Sequence, residues 1–465
     1  MNGTLERHAA WDVDDRFVLP APNGLLGKRV RHDSVDETVV YYDTPGHDLR
    51  AFGVSLRRHD GDCEAGWRLE IPASDGRNEL CWPPSDQPPA EAIGLLTGLT
   101  GGEGLVDIAK IHTLRERYRR TKPRLEVDDD RVRASVGAHL LAWREIEVDA
   151  DGRDRSAAKR IGKRLRAAGA RRSRYSSKLA HVAPAERIAT GRAAAAFLNY
   201  LHAQLDQIAA GDIGLRRGRD PIHDTRVAIR RLRSTLRVFA PVLDESVGDM
   251  DGELRWFAGL LGDVRDCRVQ QHRFGDAIDG LPDELVLGPV KARIGKDLQA
   301  VELPARAAVR EAMDSERYLA IMAVLRRWRT DAPVAADITT AKLRKRLRRA
   351  RRKADRRLVT ALGSQPQSGQ DHLLHRARKA AKRARYAAEL CQPLHPAAKR
   401  KIKKYKHIQR VLGDHQDTVV ATEALRKMAI AAGTTPGENG FTYGMLYARE
   451  RQIAEQCRRE ARQLG

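Results

Sequence analysis

The chain has 465 residues, 85 Lys and Arg against 62 Asp and Glu, a formal net charge of +23 and only 5% aromatic residues. That length suits two or three domains with full cores, and the charge calls for a polyanionic partner. No apolar run approaches the ~18 residues of a membrane span, and the acidic start around Trp11 and Asp12 lacks the basic and apolar regions of a signal peptide, so membrane insertion and export are not expected. Five scattered cysteines (Cys63, Cys81, Cys267, Cys391 and Cys457) form no CxxC pair. They read as reduced thiols of a cytoplasmic protein. The charge is unevenly placed: residues 1–180 carry 31 Lys and Arg against 29 Asp and Glu, and residues 181–465 carry 54 against 33. The polyanion partner therefore belongs to the second part.

Residues 1–180 read as short strands, including VVYYDT, GVSLRRH, GWRLEIPA, LEVDDDRVRAS and HLLAWREIEVDA. Gly, Pro and Asp punctuate them. Polar residues at alternating positions, such as Arg68 with Glu70 and Glu145 with Glu147, predict a closed antiparallel β-barrel around a polar interior. One helix follows over 157–168. HVAPAE at 181–186 reads as a linker, after which helical periodicity runs to the end. The expected domains are 1–180, an antiparallel β-barrel, and 187–465, an all-α pair of four-helix bundles with halves at about 187–330 and 338–463. The whole is an α+β multidomain chain.

The helical part repeats itself. In DPIHDTRVAIRRLRSTLRVF, from Asp220 to Phe239, residues His223, Arg226, Arg230, Arg233 and Arg237 share one stripe of a helix, and Ile229, Leu232, Leu236 and Phe239 point the other way. Asp220 reads as the N-cap with Pro221 in the first turn. About 152 residues later, His375, Arg378, Lys382 and Arg385 keep the same spacing opposite Ala377, Ala381, Ala384 and Ala388. A Leu-Gly-Asp element follows each histidine: Leu261-Gly262-Asp263 after 38 residues and Leu412-Gly413-Asp414 after 37. No acid interrupts the first stripe between Arg226 and Arg237, although like charges at i,i+4 cost ~0.2–0.5 kcal/mol per pair. Cations left without local acids suggest an external polyanion. Between the two copies, Lys342–Arg357 has 11 basic residues in 16 and an apolar spacing that makes it an amphipathic helix extending the cationic surface.

From residue 187 onward the chain resembles the CHAD domain, a histidine-containing α-helical domain of two four-helix bundles. The resemblance rests on His223, His375, Arg226, Arg230, Arg231, Arg233, Arg378, Lys382, Arg383, Arg385 and the paired Leu-Gly-Asp elements. It implies binding of inorganic polyphosphate, with polyphosphate granules as a further association, and no cofactor. The first 180 residues resemble a CYTH domain, an eight-stranded triphosphate tunnel whose arginines and lysines hold the phosphates and whose glutamates hold Mg²⁺ or Mn²⁺. Asp43, Arg57, Arg58, Arg115, Arg117 and Lys178 match its cationic and structural positions, and Glu6, Glu145 and Glu147 its metal ligands. The Glu-x-Glu-x-Lys hallmark survives only as Glu6, with His8 and Ala10 in the other places, and Glu70 stands where a lysine is expected. Triphosphate hydrolysis depends on positioning and charge neutralisation. The expectation is therefore polyphosphate binding beside a catalytically impaired barrel. A metal-dependent inorganic triphosphatase is the first alternative and nucleic-acid binding the second, the latter disfavoured by few aromatics and no stacking motif.

Overall fold

In the first part of the chain nine antiparallel strands make one sheet: β1 (Ala9–Val13), β2 (Arg31–Asp43), β3 (Ser55–Asp60), β4 (Gly66–Ala73), β5 (Gly76–Trp82), β6 (Val106–Thr121), β7 (Arg124–Val136), β8 (His139–Ala150) and β9 (Arg171–Arg172). Their order is β5-β4-β3-β2-β6-β7-β8-β1-β9. The computed structural model describes residues 9–60, 65–73, 76–122, 124–150, 155–183, 191–364 and 369–464. The chain divides into two compact units, Met1–Ile188 and Ala189–Gly465.

Alternation along the strands sorts the two faces of the sheet. On one face, Trp11, Leu125, Val127, Ile146 and Val148 bury against Ala157, Ile161 and Leu165 of helix α4 (Arg155–Ala167). Gly162 permits this approach, since a Cβ there would stand 2.6 Å from the Trp11 ring. On the other face, the next residues of the same strands are charged: Asp128 and Asp130 on β7, Glu145 and Glu147 on β8. Beyond them Val132 and Ala134 pack on Leu179 and Val182 of α5 (Lys178–Val182). Three further helices, α1 (Pro22–Leu26), α2 (Asp48–Ala51) and α3 (Ala90–Thr100), lie in the connections. The expected barrel does not close. β5 and β9 stand at opposite ends of the sheet without pairing among the described residues, and β9 has two residues, too few to build a closing ladder.

The second unit is helical throughout: α6 (Arg192–Arg216), α7 (Ile222–Phe239), α8 (Met250–Asp279), α9 (Val290–Asp314), α10 (Glu316–Thr330), α11 (Thr340–Leu362), α12 (Gln370–Leu390), α13 (Ala398–Gly433) and α14 (Phe441–Arg462). The repeat pairs α7 with α12 and α8 with α13. Helix α7 starts later than its sequence suggested: Pro221 occupies the cap position, and Asp220 instead pairs with Arg268. Ile229, Leu232, Leu236 and Phe239 are buried, as are Ala377, Ala381, Ala384 and Ala388 of α12. The small alanine face allows α12 to pack closely on its neighbours. The long helices α8 and α13 bring Phe274, Ile278, Ala421 and Leu425 into one core with Ile294, Leu298, Tyr443 and Leu446 of α9 and α14. The two halves thereby share apolar structure. No described helix is long and apolar enough to cross a membrane.

Candidate anion-binding site

Two sets of charged side chains qualify as sites, and they differ in how the cations are satisfied. In the sheet unit the cations expected to hold a triphosphate are committed to carboxylates. Cross-strand register places Asp130 opposite Glu145 and Asp128 opposite Glu147, two like-charge pairs that require relief. Arg115 on β6 supplies part of it, reaching Asp130 at 2.8 Å, Asp128 at 3.2 Å and Glu147 at 3.3 Å. Lys178 Nζ supplies the rest, 2.8 Å from Asp130, 2.9 Å from Glu145 and 2.8 Å from Glu147. Burial alone would lower the Lys178 ammonium, but the three carboxylates hold it well above the ordinary lysine range. Burial pushes the Asp128 carboxyl up to about 7 despite Arg115.

The remaining predicted tunnel residues are occupied in the same way. Arg57 binds Glu70 at 3.0 Å and Glu79 at 2.8 Å, Arg58 binds Asp60 at 3.0 Å, and Arg117 lies 3.2 Å from Glu126. Asp43 is a helix-start acceptor, taking the backbone N–H groups of Leu49 and Arg50. Glu6 and His8 fall outside the described residues, and Ala10 sits opposite Glu147. Asp130, Glu145 and Glu147 do converge as metal ligands would. The point where their oxygens meet is filled by the Lys178 ammonium, however, so these residues do not fit a divalent ion.

The helical unit presents the contrary case. His223, Arg226, Arg230, Arg233 and Arg237 run along α7, and His375, Arg378, Lys382, Arg383 and Arg385 along α12, which packs on it. Their charges meet. Burial, then the neighbouring charges of Arg378, Arg230 and Arg226, lower the Lys382 amine to about 7, against an opposing pull from Asp417. Arg378 is lowered by burial and by Arg230, and Arg383 by burial, Arg237, Arg357 and Arg233. Among the described residues no carboxylate lies within ion-pairing distance of Arg230, Arg378, Lys382 or Arg383. The Nε groups of Arg230 and Arg378 are shielded from solvent without a hydrogen-bond partner. Beside them, Arg237, Arg383, Arg346, Arg349 and Lys353 line a cavity of about 310 Å³ floored by Val238, Ala350 and Ala380. Helix α11 thus carries the cationic surface onward.

Not all predicted stripe residues stay open. Asp251 on α8 takes Arg233 at 3.2 Å and also binds Arg237. Glu389 takes Arg385 at 2.8 Å and Arg231 at 3.3 Å, and both guanidinium groups lie over the Tyr386 ring. Asp251 corrects the expectation that the first stripe lacks counter-ions, because it comes from another helix where periodicity does not register it; Glu389 stands in the second stripe itself, four residues after Arg385. Burial lowers His223 and His375, and the Gln416 side chain hydrogen-bonds His375.

The paired Leu-Gly-Asp elements now have a physical role. A Cβ on Gly262 would stand 3.1 Å from Arg226 Nη2, and one on Gly413 would stand 3.2 Å from Arg378 Nη2. Each glycine seats the arginine three residues beyond the repeat's histidine. Arg226 also donates to the carbonyls of Leu261 at 3.3 Å and Gly262 at 3.0 Å, and reaches Asp266 at 3.5 Å. The same seat in both halves is the structural signature of the repeat.

Comparison with known proteins accords with these two units. The profile of the CYTH domain matches residues 24–180 and that of the CHAD domain residues 199–426. Two uncharacterized proteins of Mycobacterium tuberculosis, from two strains, are 33% identical over 497 residues, covering 98% of this chain and 94% of their own length. The chain belongs to the proteins that join a CYTH domain to a CHAD domain. Among solved structures, PptA from Streptomyces chartreusis is 24% identical and covers 59% of this chain and 98% of its own, with a TM-score of 0.49. The CHAD domain of the plant Ricinus communis is 24% identical over 59% of this chain and 95% of its own, with a TM-score of 0.46.

Proposed function

We propose that the CHAD domain binds inorganic polyphosphate along the joined faces of α7 and α12, and that the CYTH domain is impaired as a triphosphatase. The observation that carries the first part is the cluster of Arg230, Arg378, Lys382 and Arg383, drawn from both repeats and, among the described residues, without a carboxylate within ion-pairing distance. Desolvating like charges beside one another is costly unless a ligand supplies the opposite sign. An unbranched polyanion fits better than a nucleic acid, because the face offers guanidinium and ammonium groups without aromatic platforms for bases. His223, in the first turn of α7, would add a hydrogen bond to a phosphate oxygen beside the helix N-terminus, and His375, one turn further into α12, would add one from its ring alone. Arg226, Arg233 and Arg237 flank the open cluster and would engage the same chain once released from their acids. Polyphosphate granules in the cytoplasm are the cellular form of ligand this reading favours.

The impairment is supported by the ion pairs of the sheet interior. Arg57, Arg115 and Lys178 would have to exchange internal carboxylates for phosphates, and Mg²⁺ or Mn²⁺ would have to displace an ammonium. A competition assay tests both parts: long-chain polyphosphate, tripolyphosphate, RNA and DNA compete for the full chain at ~0.15 M salt, near physiological ionic strength. Long-chain polyphosphate should displace the others, with no orthophosphate released. RNA or DNA winning at equal charge would favour the nucleic-acid reading, and turnover of tripolyphosphate near ~1 s⁻¹ would restore the enzyme.

A further inference from the structure

The sheet unit holds a second group of potential ligands, which shares only Glu145 with the Lys178 ion-pair network. Asp12 on β1 lies directly across from Glu145 on β8, placing two carboxylates side by side on the polar face. Opposed like charges weaken a strand pair. Glu145 is relieved, because Trp143 Nε1 donates to it at 2.9 Å and Lys178 Nζ lies 2.9 Å away. Asp12 is not relieved in the same way: its Oδ1 is shielded from solvent and has no hydrogen-bond partner.

His181 of α5 faces the same point. Its ring stacks on Trp143 at 4.1 Å and on Tyr175 at 4.4 Å between centroids, which fixes the plane of the imidazole. Its Nδ1 is likewise shielded and without a partner. Asp12, Glu145 and His181 each bring one ligand-type atom within 4.8 Å of the other two. Bonds of about 2.1 Å to a common ion would hold such atoms roughly 3 to 4 Å apart, which small side-chain adjustments can reach. Shielded polar atoms without partners call for an explanation. Two of them here point at one buried carboxylate.

We propose that Asp12, Glu145 and His181 bind a divalent transition-metal ion of the zinc or manganese type, on the side of Glu145 away from Asp130 and Glu147, with Glu145 shared between the ion and Lys178. One imidazole with two carboxylates suits such ions better than Mg²⁺ or Ca²⁺, which prefer all-oxygen shells. Asp12 supplies a full negative charge to the dication and Glu145 one shared with Lys178, and the ion satisfies both Asp12 Oδ1 and His181 Nδ1. Lys178 and His181 are three residues apart on one short helix. The helix therefore closes one carboxylate group with an ammonium and offers an imidazole to the next. A bound ion would clasp α5 to β1 and β8.

The test uses the full chain, stripped of metal and titrated with Mn²⁺, read by electron paramagnetic resonance with detection of nitrogen coupling to the bound ion. One Mn²⁺ per chain with nitrogen coupling is expected. Asp12→Asn and His181→Gln should each weaken binding at least ~10-fold, His181→Gln should remove the nitrogen coupling, and both should abolish the metal-dependent rise in thermal midpoint. His32→Gln, which alters an exposed histidine bonded to Glu116, should change none of these. The proposal is overturned by absence of binding, by bound Mn²⁺ without nitrogen coupling, or by coupling that survives His181→Gln. Metal-free midpoints of the variants establish that each is folded.

Discussion

Lys178 and Lys382 are both amines withdrawn from water, one in each domain, and they are driven in opposite directions. Lys178 lies within 2.9 Å of three carboxylates and keeps its proton far above the ordinary range. Lys382 faces Arg226, Arg230 and Arg378 and falls to about 7. Burial sets the cost of a charge, and the neighbours decide whether the protein itself meets it. In the CYTH domain the sequence carries nearly equal numbers of acids and bases, and its polar interior is closed by internal ion pairs. In the CHAD domain bases outnumber acids, and at the α7–α12 face some of the cations have no carboxylate within ion-pairing distance among the described residues. The first is the arrangement of a self-contained interior, and the second leaves cations for the polyanion proposed above.

The largest effect separating the two domains is on stability. Lys178→Met leaves three carboxylates around an apolar side chain, and the unfolding free energy of the sheet unit should drop by ~3–5 kcal/mol. Lys382→Met removes a disfavoured charge and should leave stability at pH 7 unchanged or raised. Urea titrations followed by far-UV circular dichroism give the comparison, and equal losses in the two variants would break it. Next in size is binding: the combined change Arg230→Gln, Arg378→Gln and Lys382→Gln should weaken long-chain polyphosphate by ~100-fold, about 2.7 kcal/mol. It should also flatten the salt dependence by roughly 0.7 in log–log slope per lost contact.

A pH series gives a smaller change with a definite sign. A lysine lowered in the folded state binds its proton more weakly there than in the unfolded chain. Its stabilising contribution is therefore present at high pH and lost as pH falls through about 7. Polyphosphate restores that proton, so affinity should decline between pH 7 and 10 by at most tenfold per unit. The Lys382→Met variant should show a flatter profile, read by calorimetry in buffers of different ionisation enthalpy. The smallest effect concerns the glycine seats. Gly413→Ala pushes on the Arg378 guanidinium and should cost ~1 kcal/mol with a few-fold loss of affinity. Gly259→Ala, with nothing within 4 Å of the added Cβ, should stabilise its helix by ~0.5–1 kcal/mol.

Local periodicity carried much of this. The cation stripe of α7, its apolar opposite face, the recurrence in α12 and the alternation of β7 and β8 are all readable at spacings of a few residues. What depended on packing was not. The pairs of Asp251 with Arg233 and Arg237, and of Glu389 with Arg231, are set by how α8 and α12 pack on α7, whereas Glu389 with Arg385 is an i,i+4 pair that spacing alone shows. The role of Gly262 and Gly413 follows from the helix that crosses them. In the sheet, Asp128 and Asp130 lie in a DDD run at alternate positions, which marks them as sharing a face but does not show that Lys178 and Arg115 would fill it. Closure of the barrel was expected from strand number and polarity. It depends instead on pairing between the end strands, which the two-residue β9 does not supply.

The proposed polyanion site is the joined α7–α12 face rather than the net charge of the domain. The most direct measurement compares long-chain polyphosphate affinity at ~0.15 M salt for the wild type, for the combined Arg230→Gln, Arg378→Gln and Lys382→Gln variant, and for a variant of equal charge. That charge-matched variant carries Lys427→Gln, Arg449→Gln and Arg451→Gln at exposed positions of α13 and α14. A loss of ~100-fold is expected in the first variant and of at most a few-fold in the second. Equal losses in the two would contradict it and reduce the interaction to diffuse electrostatics.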